Sequence, residues 1–287
     1  MSGEQRRPRL TRLQLLREIG LSPLWRLRPQ PAELAQPPRG GAAAVLDAER
    51  RRLGEVAAVA AAPAPVPAAG SERSAAIAGM GWEELQRSVA ACRACRLCQG
   101  RRQAVLGVGD RNADWLFIGE GPGAEEDARG EPFVGPAGKL LDAMLAAIDL
   151  QRGHDVYIAN AVKCRPPDNR TPDSAEIAAC APYLRRQIAL LQPRLIVLLG
   201  RAAAHAVLGE VGSLASMRGR SFACNSPAGG ESIPVIVSYH PAYLLRTLPD
   251  KARAWEDLCR ARALMRAARE AAAGLDHAAA RGVATTP

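Results

Sequence analysis

The chain has 287 residues, 48% of them hydrophobic, which is enough to bury a core in one or two domains. Its formal net charge of +9 points to a polyanionic partner, nucleic acid first among them. No apolar run reaches the roughly 18 residues of a membrane span, and the basic opening "MSGEQRRPRLTRLQLLREIG" lacks the core and cleavage site of a secretory signal.

A cytoplasmic address with no membrane association is therefore expected, and there seven cysteines argue for metal, a cluster or plain burial over a disulfide framework. Residues 1–28 read as a short basic amphipathic segment, with Leu10, Leu13, Leu16 and Ile19 near helical spacing. Residues 29–80 are rich in Pro and Ala and poor in large apolar groups, so a flexible linker is expected: little burial is available to offset the entropy of ordering.

Beyond Trp82 the texture changes. "DWLFIGEG", "DVYIANAV", "PRLIVLLG" and "IPVIVSYH" are continuous apolar runs of the kind buried on both faces of a sheet. Helical patterns lie between them: "GPAGKLLDAMLAAI", "DSAEIAACAPYLRRQIALL" and "RAAAHAVLG", with "KARAWEDLCRARALMRAARE" closing the domain. The alternation predicts an α/β fold, a three-layer α/β/α sandwich around a mostly parallel four-stranded sheet, over residues 81–270. A flexible tail is expected at 271–287. In such sheets sites form at the carboxyl ends of strands, where "GEGPG", "NAVKCRPP" and "HPAYLL" fall.

Cys92 and Cys95 form a C-x2-C pair, and Cys164 and Cys180 can complete a four-thiolate set for zinc or a 4Fe-4S cluster. Cys98 offers an alternative pairing with Cys95 that the spacing does not decide. "GEGPGA" formally matches a dinucleotide loop, but Pro122 sits inside the turn and "EED" places three carboxylates where a pyrophosphate would lie. Set beside the strand ends, Glu120, Phe133, Asn160 and His240 form a different constellation. A carboxylate, an aromatic face, an amide and an imidazole are the parts that hold and cleave an extruded base.

"GEGPGAEEDARGEPFVGPAGKLLDAML", "VYIANAVKCRPPDNRTP" and "HPAYLLR" closely resemble the motifs of the family 4, iron-sulfur uracil-DNA glycosylases, over about three-fifths of the chain from Cys92 to Met265. The resemblance implies hydrolysis of the N-glycosidic bond of uracil in single- or double-stranded DNA. It also implies a 4Fe-4S cluster on Cys92, Cys95, Cys164 and Cys180, with Cys98 a bystander. It casts Glu120, Glu126 and His240 as catalytic, and Gly121, Phe133 and Asn160 as the uracil pocket. Phosphate contacts are expected from Lys163, Arg165, Arg218, Arg220 and Arg246, and a wedge into the base stack from Leu244 and its neighbours. The loop "RGRSFACNSPAGGESIP" holds no histidine for a covalent DNA link, so turnover by water is expected. The chain is expected to act as a monomer, with the N-terminal segment available to a replication or repair protein. The competing expectations are a cysteine-rich nucleic-acid-binding protein without chemistry, or a glycosylase for another deaminated base such as hypoxanthine.

Overall fold

The computed structural model describes residues 71–209, 212–229 and 232–282, with side chains described from residue 72 to residue 270. The basic segment and most of the expected linker lie outside the described residues.

In chain order the elements begin with helices α1 (Ser71–Gly79), α2 (Trp82–Ala91) and α3 (Leu97–Gly100), then strands β1 (Val108–Gly109) and β2 (Trp115–Gly119). Helices α4 (Ala124–Arg129) and α5 (Pro136–Ala147) lead to β3 (Val156–Asn160), α6 (Ser174–Leu191) and β4 (Leu195–Leu199). The last third holds α7 (Arg201–Leu208), α8 (Leu214–Met217), β5 (Ser221–Cys224), β6 (Ile233–Ser238), α9 (Pro241–Leu244) and α10 (Asp250–Gly282).

The four predicted strands are β2, β3, β4 and β6. They pair in parallel within a sheet of order β1-β3-β2-β4-β6-β5. The sheet is therefore six-stranded rather than four-stranded. The added edges, β1 and β5, run antiparallel and cap the two sides. Alternate residues of each central strand feed opposite layers. Phe117, Ile158, Val197 and Ile236 pack under α5 and α10, while Ile118, Ala159, Leu198 and Val237 pack under α6 and α7. Burial on both faces explains why these strands read as unbroken apolar runs. No helix among the described residues is long and apolar enough to cross a membrane.

Both outer boundaries move from their expected places. Residues 71–79, assigned to the linker, form α1: Ile77 is buried with Leu85, Val89 and Tyr183, and Arg73 donates to the Ala179 carbonyl at 3.0 Å. At the other end α10 continues to Gly282, into the expected tail. A chain starting at residue 80 should therefore melt about 5 °C or more below one starting at residue 71, as read by circular dichroism, because buried Ile77 and the hydrogen bond of Arg73 are lost.

Parallel pairing aligns Gly119 with Asn160 and Leu199 with Ser238, so the loops after β2, β3, β4 and β6 open on one edge. The chain order reverses between β2 and β4, and the crevice of such a sheet lies at that switch point.

Candidate active site

At that edge lies a cavity of about 500 Å³. Glu120, Gly121, Glu126, Phe133, Asn160 and His240 all line it, with Arg246 at its rim.

Phe133 is held in an unusual conformation. Its φ is 56°, a left-handed geometry that is costly for an aromatic residue and therefore needs support from its surroundings. Glu126 supplies part of that support: Oε1 accepts from the amides of Val134 (2.9 Å) and Gly135 (3.0 Å), and Oε2 from Gly123 (3.0 Å). Arg152 supplies more, donating to the carbonyls of Pro132 (2.9 Å) and Phe133 (2.8 Å). Gly138 completes the seat, since a Cβ there would fall 1.8 Å from the Phe133 carbonyl oxygen. Gly138→Ala is thus expected to cost roughly 1–3 kcal/mol in urea unfolding and to displace the ring.

His240 caps the amino end of α9. Its Nδ1 accepts from the Ala242 amide at 3.2 Å, which leaves Nε2 to carry the proton of a neutral ring. Burial, helped by the charge of Arg246, lowers its pKa to about 4, so the ring is uncharged at neutral pH. It stacks near Phe133, with ring centroids 5.4 Å apart. Asn160, 2% exposed at the end of β3, has a buried side-chain oxygen with no hydrogen-bond partner. The pKa of half-buried Glu120 is raised by desolvation, an effect the Thr171 hydroxyl partly offsets.

Several expected DNA contacts are displaced. Lys163 is 1% exposed, and its ammonium donates to the Asn160 carbonyl (2.8 Å) and to Gln187, so it faces the interior and not phosphate. Burial lowers its pKa to about 8. Arg218 pairs with the buried carboxylate of Asp257 at 2.6 Å and lies over the Tyr239 ring, which makes it a structural cation. Leu244 is 1% exposed and belongs to the core, whereas the next residue, Leu245, is 42% exposed. Both oxygens of Glu126 accept backbone amides, which hold the Phe133 loop, and the same side chain lines the cavity. Arg220 lies over the Phe222 ring and Arg165 donates to Asn169, both outside the cavity wall. Sequence reasoning missed Arg201, which lines the cavity directly after Gly200 at the end of β4. The signal available was its place at a strand end.

A second, smaller cavity is lined by Cys92, Cys95, Cys98, Cys164 and Cys180. Cations and amides point at the sulfurs. Arg101 donates to the Cys164 Sγ at 2.8 Å and to the carbonyls of Ala90 and Cys92, Arg73 reaches the Cys92 Sγ at 3.7 Å, and the Lys163 amide donates to the Cys180 Sγ at 3.3 Å. Without a metal, burial pushes the Cys180 thiol up to about 12. Among the described residues no group of three or more His, Cys, Asp or Glu side chains stands close enough to grip a single metal ion.

A family model described as the uracil DNA glycosylase superfamily matches residues 106–259, a stretch that carries every residue of the larger cavity. The fold and the site thus define a uracil-DNA glycosylase superfamily domain. A type-4 uracil-DNA glycosylase of Archaeoglobus fulgidus is 42% identical over 167 residues, covering 57% of this chain and 82% of that protein. One of Thermotoga maritima is 43% identical over 172 residues, covering 60% and 86%. A type-5 uracil-DNA glycosylase of Thermus thermophilus is 33% identical over 182 residues, covering 51% and 82%. The chain belongs to the type-4 uracil-DNA glycosylase family.

Proposed function

We propose that the chain is a monofunctional DNA repair glycosylase that takes uracil out of the DNA stack and hydrolyses its N-glycosidic bond, leaving free uracil and an abasic site. Family membership supports the reaction class, a hydrolase acting on N-glycosyl bonds. The observation that carries the base assignment is the partnerless oxygen of Asn160 on the wall of the cavity that the His240 imidazole also lines. A buried acceptor without a partner is costly, and the N3–H of uracil supplies the donor it lacks. The amide nitrogen of the same side chain then donates to O4. Cytosine offers neither group, because its N3 is an acceptor and its exocyclic amine a donor.

Phe133 stacks on the ring, and Gly121 lines the same cavity with its backbone packed so closely on Val162 that a Cβ there would fall 2.8 Å from Cγ2. As the C1′–N1 bond breaks, its electron pair moves onto the uracil and positive charge develops on the sugar. His240 donates its Nε2 proton in a hydrogen bond to O2 and stabilises the departing anion without becoming charged. Glu120 is the carboxylate that orients the attacking water, its raised pKa bringing it closer to the operating pH of a base. Arg246 and Arg201 at the cavity, with Arg165 and Arg220 outside it, hold phosphates. Leu245 takes the wedge position expected of Leu244.

The residues around the second cavity suit a 4Fe-4S cluster on Cys92, Cys95, Cys164 and Cys180. Three segments distant in sequence bring sulfur to one enclosure, and two arginines and an amide point at it. Such a cube gives each iron one thiolate, so its sulfurs stand wider apart than those around a single zinc ion. Bound there, it would cross-link the Cys92–Cys95 segment, the Cys164 loop and α6. Purified protein is expected to contain close to four iron and four sulfide per chain, and Cys164→Ser to lose both. One zinc per chain and no sulfide would contradict the assignment.

One chain supplies the whole cavity, in keeping with a monomer acting on single- or double-stranded DNA in the cytoplasm. Residues 1–28 remain available to a replication or repair partner. Free base identified by chromatography, after incubation with oligonucleotides carrying either uracil or hypoxanthine, tests the substrate. Uracil released alone supports the reading, hypoxanthine released alone contradicts it, and neither released from metal-loaded protein leaves a binding module.

A further inference from the structure

Lys163 is a buried cation that the proposed chemistry leaves unused. Its side chain is enclosed at 1% exposure, where an ammonium is expensive to keep unless acceptors surround it. Two do. One is the main-chain carbonyl of Asn160, 2.8 Å from Nζ, and the other is the side-chain oxygen of Gln187. Gln187 is 0% exposed and is itself fixed, its amide donating to the Leu106 carbonyl at 2.9 Å and to the Tyr157 hydroxyl at 3.3 Å.

The place of these contacts matters more than their number. The β2–β3 register ends at the pair Gly119 and Asn160, and past it the amides of Ala161 and Val162 still donate to the carbonyls of Gly119 (2.9 Å) and Glu120 (3.1 Å), while the Asn160 carbonyl takes the Lys163 ammonium. The main chain of Lys163 is itself fixed on both sides. Its amide donates to the Cys180 Sγ at 3.3 Å and its carbonyl accepts from Val105 at 2.8 Å. The lysine therefore spans from the cysteine-lined cavity to the residue whose side chain reads the base.

We propose that Lys163 is a positioning residue: its ammonium, braced by Gln187, holds the end of β3 so that the Asn160 amide meets the base in register. The inference rests on the glycosylase reading above. It makes Lys163 act through Asn160 and not through DNA phosphate or general packing.

A double-substitution cycle separates these roles. Lys163→Met, Asn160→Ala and the pair are compared with the wild type in single-turnover uracil release at saturating protein. Affinity for uracil-free DNA is followed over a range of salt, and iron per chain is measured for each variant. Lys163→Met is expected to slow release roughly 10- to 100-fold. DNA affinity and its salt slope should stay at wild-type values. In the Asn160→Ala background the same substitution should add less than about twofold, since the group it positions is gone. Equal slowing in both backgrounds overturns the proposal, and so does a salt slope reduced by about one, the mark of a lost phosphate contact. Should Lys163→Met lose iron or fail to fold, Gln187→Met leaves the lysine and every cysteine in place. It is expected to give a smaller slowing with the same dependence on Asn160, and additivity there overturns the proposal equally. A wild type that releases no uracil sinks the glycosylase reading itself, whereas an active wild type with additive substitutions sinks only the role of Lys163.

Discussion

His240→Ala is expected to lower the single-turnover rate of uracil release by roughly 100- to 1,000-fold, the usual effect of removing one preorganised donor to a developing anion. Affinity for uracil-free DNA should remain near the wild-type value, because the ring faces the cavity and not the exposed surface. The ring is locked in one tautomer by the Ala242 amide and kept neutral by burial. A neutral donor of fixed direction needs no protonation step, so titration of His240 should leave no step in the rate between pH 6 and 8. A rate that rises as pH falls through 6.5 would mean that the imidazolium is the working form.

The same shift affects stability. The pKa of His240 falls from 6.5 in the unfolded chain to about 4 in the fold, so between those values the unfolded state binds more protons. The contribution is fully present above pH 6.5 and is lost as pH falls toward 4. In urea unfolding His240→Ala should lack that part of the acid sensitivity.

Asn160→Ala is the second large effect, and it separates function from stability. Uracil release is expected to fall by roughly 100-fold or more, because the variant can no longer pair with N3–H and O4 together. The unfolding midpoint should stay level or rise. In the free protein the side-chain oxygen is buried without a partner, and removing such a group relieves a desolvation cost of about 1–3 kcal/mol. The contact that Lys163 makes is to the main chain of Asn160 and survives the substitution. A variant that loses activity only because it unfolds would contradict this account of the base-reading residue.

The central strands were legible because burial on both faces writes an unbroken apolar run, and Glu120, Asn160 and His240 were legible because each follows or ends such a run, whereas Phe133 sits in the loop between α4 and α5 and was found by its residue type. The edge strands were not. Val108 and Gly109 form only two residues of strand, and Ser221–Cys224 is half-exposed with no dominant apolar pattern. Charge proved the least reliable guide. Lys163 lies between Val162 and Cys164 in a run that folds inward, and nothing local distinguishes a buried ammonium from a phosphate contact until α6 brings Gln187 to it. Leu244 and Leu245 are adjacent, yet α9 turns the first into the core and the second outward, a difference set by where that short helix begins. Helix α1 was hidden by composition. Ser71–Gly79 reads as more of the same Ala-rich linker, and what orders it is tertiary, through Ile77 and Arg73.

The proposed function comes down to one chemical act, breakage of the bond between uracil and deoxyribose by the residues of the larger cavity. The measurement that tests it most directly is single-turnover release of free uracil from a uracil-containing oligonucleotide by full-length protein with its cysteine site loaded, with the cytosine-containing strand as control. Stoichiometric uracil and an abasic strand are expected from the first, and nothing from the second. Tight binding to both strands with no base released from either would contradict the proposed function.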